Sequence, residues 1–467
     1  MTRVNADFTP FAARMRAEGL PDIVIRTFEY YYHQLAAGQT GLIPEGDIMP
    51  VTALPDVETF GPALAETGRA ALSATILLKL NGGLGTGMGL DRAKSLLVAK
   101  DGLTFLDIIA RQSLLSDVPL VLMDSFNTRA DSLAALQRYP ELARFGLPLD
   151  FVQHKAPKVV QADLTPVIWP ADPDLEWCPP GHGDIYPALL TSGMLARLLA
   201  AGYRYAFVSN ADNLGAVLDP AILGYFVSEG LPFLMEVTER TTADRKGGHL
   251  ARSRADGRLI LRESAQCPTA DMPAFQDIGR HRYFNTNNLW LNLPALAATL
   301  EARNGILGLP MIRNAKPVDP CDAGSTPVYQ LETAMGAAIE LFPGAGAVHV
   351  PRTRFAPVKT SDDLLLIRSD AYVLTADWQI VLNPARRLPD PPVVRLDPRF
   401  YRLIDDLEAR FPFGPPSLAD CAQLTVQGDV RFGRGVACRG AVELMGRADG
   451  QTAVSDGAVL AGNVGMT

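Results

Sequence analysis

Glycines stand at 82, 83, 85, 87 and 89 in the run LKLNGGLGTGMGLDRAKS, residues 78–95, and Lys94 follows close behind. Glycines at that density remove the β-carbons that keep a ligand off the backbone, and they permit positive φ. Successive free N–H groups can then face a polyanion, with the lysine supplying a full positive charge. The stretch reads as a phosphate-cradling loop. Its spacing is neither of the common ones. Met88 stands where the dinucleotide pattern G-x-G-x-x-G needs its last glycine, and Lys94 follows Ala93 rather than the glycine of a P-loop. An empty glycine turn has the same composition; the apolar run before the loop and the lysine after it favour the cradle.

Other stretches offer partners for such a ligand. FVQHKAPK, residues 151–158, ends an apolar run in Gln153, whose amide presents a donor and an acceptor side by side, as the edge of a pyrimidine base requires. A solvated strand end explains it equally well in isolation. In WCPPGHGD, residues 177–184, two prolines stiffen the chain, Gly181 and Gly183 let the backbone approach a flat ligand, and His182 lies between them. Asn210 and Asp212 close an apolar run in FVSNADNLGAVLD, residues 207–219. A carboxylate at the carboxyl end of a strand, opposite a glycine loop, suits Mg²⁺ on nucleotide phosphates, although an ordinary turn has the same residues.

Asparagine, carboxylate and exposed backbone are the partners that sugar hydroxyls need. They occur as Gly247 and Gly248, Glu263, and Asn285, Asn287 and Asn288 in three successive stretches. Further on, Arg352, Arg354 and Lys359 form a basic run, the usual appearance of a solvated turn, and Ser361 is the expected cap of a helix with Asp362 and Asp363 in its first turn.

Residues 1–70 are expected to be mainly helical, over 11–18 and 23–35, with Tyr30, Tyr31 and Tyr32 serving packing. Strands are expected at 74–80, 118–123, 150–153, 205–209 and 233–237, and helices at 104–115, 129–138 and 184–201, with Thr104 and Asp107 capping the first. The alternation predicts an α/β fold with a mostly parallel sheet covered on both faces, and ligands at the carboxyl ends of its strands. After Pro416 the pattern changes. Leu424, Val430, Val436 and Val442 lie six apart, as do Val426, Phe432, Cys438 and Leu444, with Gly428, Gly435, Gly440 and Gly446 at the corners. That period predicts a parallel β-helix. The boundaries expected are 1–70, 71–385 for the catalytic domain and 386–467 for the β-helix.

A formal charge of −8 argues against a nucleic-acid surface, and no run approaches the ~20 apolar residues of a membrane span. Five cysteines without C-x-x-C pairing argue against a disulfide framework or a zinc motif, and the cytoplasm is the expected compartment.

These stretches, in this order, resemble the eukaryotic-type UTP–glucose-1-phosphate uridylyltransferases (UDP-glucose pyrophosphorylases). The resemblance implies a Rossmann-like nucleotidyltransferase domain with a mostly parallel mixed sheet, and a left-handed C-terminal β-helix. It implies the transfer of uridylyl from UTP to α-D-glucose 1-phosphate, giving UDP-glucose and pyrophosphate by direct in-line attack. Leu80, Asn81, Gly82, Gly83 and Lys94 would meet the nucleotide, Gln153 and Gly181 the uracil, and His182 the region of the phosphates. Asp212 would hold Mg²⁺; Asn210, Gly247, Gly248, Glu263, Asn285 and Asn287 would form the glucose pocket. Lys359 and Lys94 would be the catalytic lysines, Lys359 reaching both the sugar phosphate and the α-phosphate. Rival readings are a uridylyltransferase for N-acetylglucosamine 1-phosphate or for several sugars, and a catalytically silent nucleotide-sugar sensor. Self-association through the C-terminal domain is compatible with all of them.

Overall fold

The computed structural model describes residues 7–465. Its centre is a ten-stranded sheet running Ile48–Pro50, His249–Ser253, Tyr283–Asn292, Tyr205–Asn210, Thr75–Leu80, Leu120–Asp124 and Asp150–Val152, with Phe233–Glu239, Leu259–Arg262 and Gly346–His349 joined off this path. The strands from Asp150–Val152 to Tyr205–Asn210 are mutually parallel. Helical crossovers, Phe105–Ser116 and Arg129–Leu136 among them, join these strands, as parallel pairing requires. The other half departs from the expected mostly parallel sheet. Tyr283–Asn292 runs antiparallel to Tyr205–Asn210 and to Phe233–Glu239, and His249–Ser253 pairs antiparallel with Leu259–Arg262. Those two strands are joined by a short turn at Gly257 (φ +73°), too short for a crossover. The sheet is mixed.

Thr75–Leu80 is the strand at which chain order reverses: the next strands of this sheet, Leu120–Asp124 and Asp150–Val152, are laid on one side of it, and Tyr205–Asn210 on the other. Its side chains feed both faces: Leu77 packs into one apolar cluster, Ile76 and Leu78 into the other. Its register pairs Lys79 with Ser209 and Leu80 with Asn210. The glycine loop and the Asn210–Asp212 turn therefore leave the sheet side by side.

Most expected elements occur within a few residues of their predicted limits, including helices Thr9–Ala17 and Asp22–Ala36. Tyr31 and Tyr32 are buried in the core and Tyr30 is exposed at the surface. Thr104 and Asp107 form a reciprocal capping box. The single helix expected over 184–201 is broken instead into Ile185–Thr191 and Met194–Ala200, with Gly193 between them at φ +72°. The cap of Ser361–Arg368 is Thr360, not Ser361: the Thr360 side chain accepts from Asp363 N–H.

In the C-terminal region, Val393–Leu396, Ser417–Gln427, Ala437–Met445 and Val459–Gly465 form one parallel sheet, and Val430–Phe432 and Thr452–Val454 a second. The apolar residues at six-residue spacing are buried from Leu424 to Leu444. Gly428, Gly435 and Gly440 take left-handed φ at the corners; Gly446 does not, and is packed against Val430. One core cluster joins Leu77 and Phe105 to Leu364, Tyr401, Leu424 and Leu460. The C-terminal sheets thus share apolar packing with one face of the central sheet. No helix among the described residues is long and apolar enough to cross a membrane.

Candidate functional site

The glycine loop is closed at its base. Leu84 bridges to Ala93, and Lys94 N–H donates to Gly83 O at 3.1 Å. Lys94 is thereby returned to the strand end, where its Nζ lies 2.8 Å from Asp212 Oδ2. Of the loop glycines only Gly89 takes a positive φ, +79°. The expected conformational freedom is thus used once, and at Gly82 and Gly85 it is the missing β-carbon that matters. A β-carbon on Gly85 would stand 2.5 Å from Leu90 Cδ1, and one on Gly82 2.9 Å from Gln153 Oε1, whereas Gly83 and Gly87 face open space. Asn81 is turned inward: buried, it donates to Asp124 Oδ1 at 2.7 Å and Ser132 Oγ at 2.8 Å. Any part it takes in ligand binding falls to its backbone.

Gln153 extends the edge strand, its N–H donating to Asp124 O at 2.8 Å. The next residue ties it to the proline–glycine stretch. Asp184 accepts from His154 N–H at 2.6 Å and stands 3.0 Å from His154 Nδ1, while Thr191 Oγ1 contacts Nε2. Gly181, at φ +82°, lies so close to Thr333 that a β-carbon would come within 2.4 Å of the carbonyl oxygen. His182 does not offer a cationic side chain. Its Nδ1 accepts from Met335 N–H at 2.9 Å, and burial pushes its pKa down to about 4, so the ring is neutral near pH 7 and Nε2 carries the proton.

Across the site, Asn285 N–H donates to Gly248 O at 3.2 Å, and the side chains of Asn285 and Asn287 are bonded at 2.9 Å. Asn287 takes a left-handed φ of +59°. Glu263 lies against Gly248, where a β-carbon would come 2.5 Å from its carboxylate. Burial raises the Glu263 pKa, opposed by the charge of Lys359 and a hydrogen bond from Asn285. Asn285 and Lys359 therefore both lie near the Glu263 carboxylate. Gly247 admits the ring of Phe284, which would lie 2.1 Å from a β-carbon there.

Lys359 is held from both sides. Its N–H donates to Asp363 Oδ2 at 2.8 Å, and the preceding Val358 N–H donates to Asp212 O at 3.1 Å. The chain before it is not the solvated basic turn expected from composition. Arg354 is buried and forked onto Glu236, with Nε and Nη2 at 2.8 and 2.7 Å from the two carboxylate oxygens.

The structure thus brings together the glycine loop, Lys94, Asp212 and Lys359 on one side, and gathers Gly248, Glu263 and Asn285 about Lys359. Sequence reasoning missed the His154–Asp184 tie and Thr333. The first pair lies inside stretches singled out for their neighbours; nothing in the sequence marks Thr333. Among the described residues no group of three or more His, Cys, Asp or Glu side chains could cage a metal. Asp212 alone matches a Mg²⁺ that keeps much of its water and takes its other ligands from phosphates.

The sequence model of the UTP–glucose-1-phosphate uridylyltransferases matches residues 25–439. Curated relatives include a UTP–glucose-1-phosphate uridylyltransferase of Solanum tuberosum, 42% identical over 85% of this chain and 82% of its own length. Another, from Encephalitozoon cuniculi, is 39% identical over 86% of this chain and 80% of its own. Among solved structures, a mutant UDP-glucose pyrophosphorylase of Leishmania major in complex with UDP-glucose superposes with a TM-score of 0.92. It is 45% identical and covers 99% of this chain and 100% of its own. Agreement in sequence over most of the chain, and in fold over nearly all of it, makes this chain a member of the UTP–glucose-1-phosphate uridylyltransferase family.

Proposed function

We propose that the chain joins UTP and α-D-glucose 1-phosphate into UDP-glucose and pyrophosphate by direct in-line displacement, with the residues gathered above in defined roles. The amides of Gly82 and Gly83 and the Lys94 ammonium hold the triphosphate. Gln153 and the Gly181 backbone read the uracil edge, and neutral His182 donates from Nε2 toward the phosphates. Gly248, Glu263, Asn285, Asn287 and Asn210 bind the sugar hydroxyls. Lys359 lies between the two substrates, where it neutralises the phosphate that attacks and the α-phosphate under attack. Two anions that repel one another must be brought to bonding distance, and positioning with charge cancellation is the whole of the protein's task. Asp212 would hold Mg²⁺ against the phosphates, and that ion supplies further positive charge to the pyrophosphate leaving group.

The observation that carries this reading is the bond from Val358 N–H to Asp212 O, 3.1 Å, which brings Lys359 beside the Lys94–Asp212 pair. Lys359 acts here through its charge; the reaction does not need its proton. The two C-terminal parallel sheets we read as turns of a left-handed β-helix; the burial of both six-residue series supports this.

Pyrophosphate release with UTP and, in turn, glucose, galactose and N-acetylglucosamine 1-phosphates tests the substrate. Glucose 1-phosphate is expected to give the highest kcat/KM. A preference for the N-acetylated sugar would mean that the Glu263–Asn285 pocket admits an acetamide, and the reading fails.

A further inference from the structure

Beneath the reactive groups lies a buried polar cluster that none of the roles above uses. Glu236, fully buried on Phe233–Glu239, accepts four hydrogen bonds: two from Arg354, one from Asn288 Nδ2 at 3.0 Å and one from Trp290 Nε1 at 2.9 Å. Each carboxylate oxygen receives two donors, so its hydrogen-bonding capacity is satisfied inside the buried cluster, the condition under which a buried pair is tolerated. Arg354 also donates to Val217 O at 2.9 Å, beyond the Asp212 turn.

The cluster has one member that touches both reactive segments. Asn213, 1% exposed, follows Asp212 directly. Its Nδ2 donates to Arg354 O at 3.1 Å and to Asn288 Oδ1 at 3.3 Å, and its Oδ1 accepts from Ala356 N–H at 3.0 Å and Gly215 N–H at 3.2 Å. With the bond from Val358 N–H to Asp212 O, the chain over 354–358 is fastened to the chain over 212–213 at every second residue. Gly215 allows the approach, because a β-carbon there would lie 2.4 Å from Thr353 O. Asp212 is the first residue of this seam on one segment, and Lys359 follows it directly on the other.

We propose that Asn213, braced by the buried Glu236–Arg354 pair, is a positioning residue that fixes Lys359 relative to Asp212. The proposal rests on the roles given to Lys359 and Asp212 above. Asn213 touches no substrate; it acts by setting where the Lys359 ammonium stands when charge moves between the phosphates. An ammonium displaced by an ångström still attracts bound nucleotide sugar but no longer meets the transition state, so turnover suffers more than affinity.

The test is a double-mutant cycle on the full chain, reading kcat, both KM values, UDP-glucose Kd and melting temperature for Asn213→Ala, Lys359→Ala and the pair. Asn213→Ala is expected to lower kcat by about tenfold or more while UDP-glucose Kd stays within about threefold. In the Lys359→Ala background the same change is expected to cost less than about twofold, because the group it positions is gone. Full additivity alongside a large Lys359→Ala effect overturns the positioning role and leaves the reading of Lys359 intact. Wild-type turnover in Lys359→Ala overturns both. A kcat loss that tracks loss of UDP-glucose affinity and melting temperature assigns Asn213 to stability alone and also overturns the proposal. Should Asn213→Ala fail to fold, Asn213→Ser, which keeps a small polar side chain but cannot span all four of the Asn213 hydrogen bonds, carries the same cycle with the same expectations.

Discussion

Two glycines in the site are defined by what a methyl group would displace. A β-carbon on Gly82 meets the Gln153 amide at 2.9 Å, and one on Gly248 meets the Glu263 carboxylate at 2.5 Å. Neither glycine has positive φ, so the backbone tolerates alanine and the cost falls on the neighbouring polar group. Gly82→Ala is expected to raise KM for UTP by about tenfold with KM for glucose 1-phosphate nearly unchanged, and Gly248→Ala to do the reverse, each worth about 1.4 kcal/mol. Initial-rate kinetics on both substrates decides; equal effects on both would break the division into base and sugar sides. His182 gives a second residue-level expectation. The folded chain protonates this ring only near pH 4, whereas the unfolded chain does so near the ordinary 6.5. The neutral ring's contribution to stability is complete above 6.5 and is lost as pH falls toward 4. Urea midpoints between those values should fall more steeply for the wild type than for His182→Gln. Parallel slopes would mean that the ring is not held neutral.

Two helices begin with the same capping box, and only one of them adjoins the site. Thr104 caps Phe105–Ser116, and Thr360 caps Ser361–Arg368 directly after Lys359. Replacing either threonine by alanine should cost about 1 kcal/mol of stability. Thr360→Ala should also reduce kcat several-fold, since Asp363 fixes both the cap and the Lys359 N–H, while Thr104→Ala leaves kcat unchanged. Equal kcat effects would detach Lys359 from its cap. The same helices mark what a sequence can reveal. The Thr104–Asp107 spacing announces its box because both partners are local. Assigning the second cap to Ser361 misses by one residue, since Thr360 and Ser361 are both competent caps and only the backbone decides. The placement of the glycine loop, Gln153, Gly181 and Asp212 at turns and strand ends is legible because turn chemistry and strand ends are local properties. Arg354 is not: a basic run reads as solvated until Glu236, 118 positions away, is packed against it. Nor does composition carry the antiparallel half of the sheet, which depends on how strands of similar pattern find partners.

At the scale of the whole chain, the continuity of one apolar cluster from Leu77 and Phe105 through Leu364 and Tyr401 to Leu424 and Leu460 has a thermodynamic consequence. Each large side chain in it is worth about 1.5–3 kcal/mol when buried, so removing the C-terminal sheets exposes more apolar surface than the remainder can tolerate. A chain ending at residue 385 should be insoluble, and the full chain should unfold in urea with coincident transitions by circular dichroism and tryptophan fluorescence. Two separated transitions would show that the C-terminal sheets fold independently. The sequence marks where the pattern changes at Pro416, yet not this shared packing, because six-residue spacing describes the inside of the C-terminal sheets and says nothing of their outer contacts. The same long-range packing sets the site: strand ends from one half of the sheet and the segments carrying Gly248, Glu263 and Asn285 from the other meet near Lys359. Turnover of Lys359→Ala, measured beside its UDP-glucose affinity, tests that convergence most directly. In that variant kcat is expected to fall by about a hundredfold or more while UDP-glucose Kd changes by less than about tenfold. Wild-type kcat in that variant would contradict it.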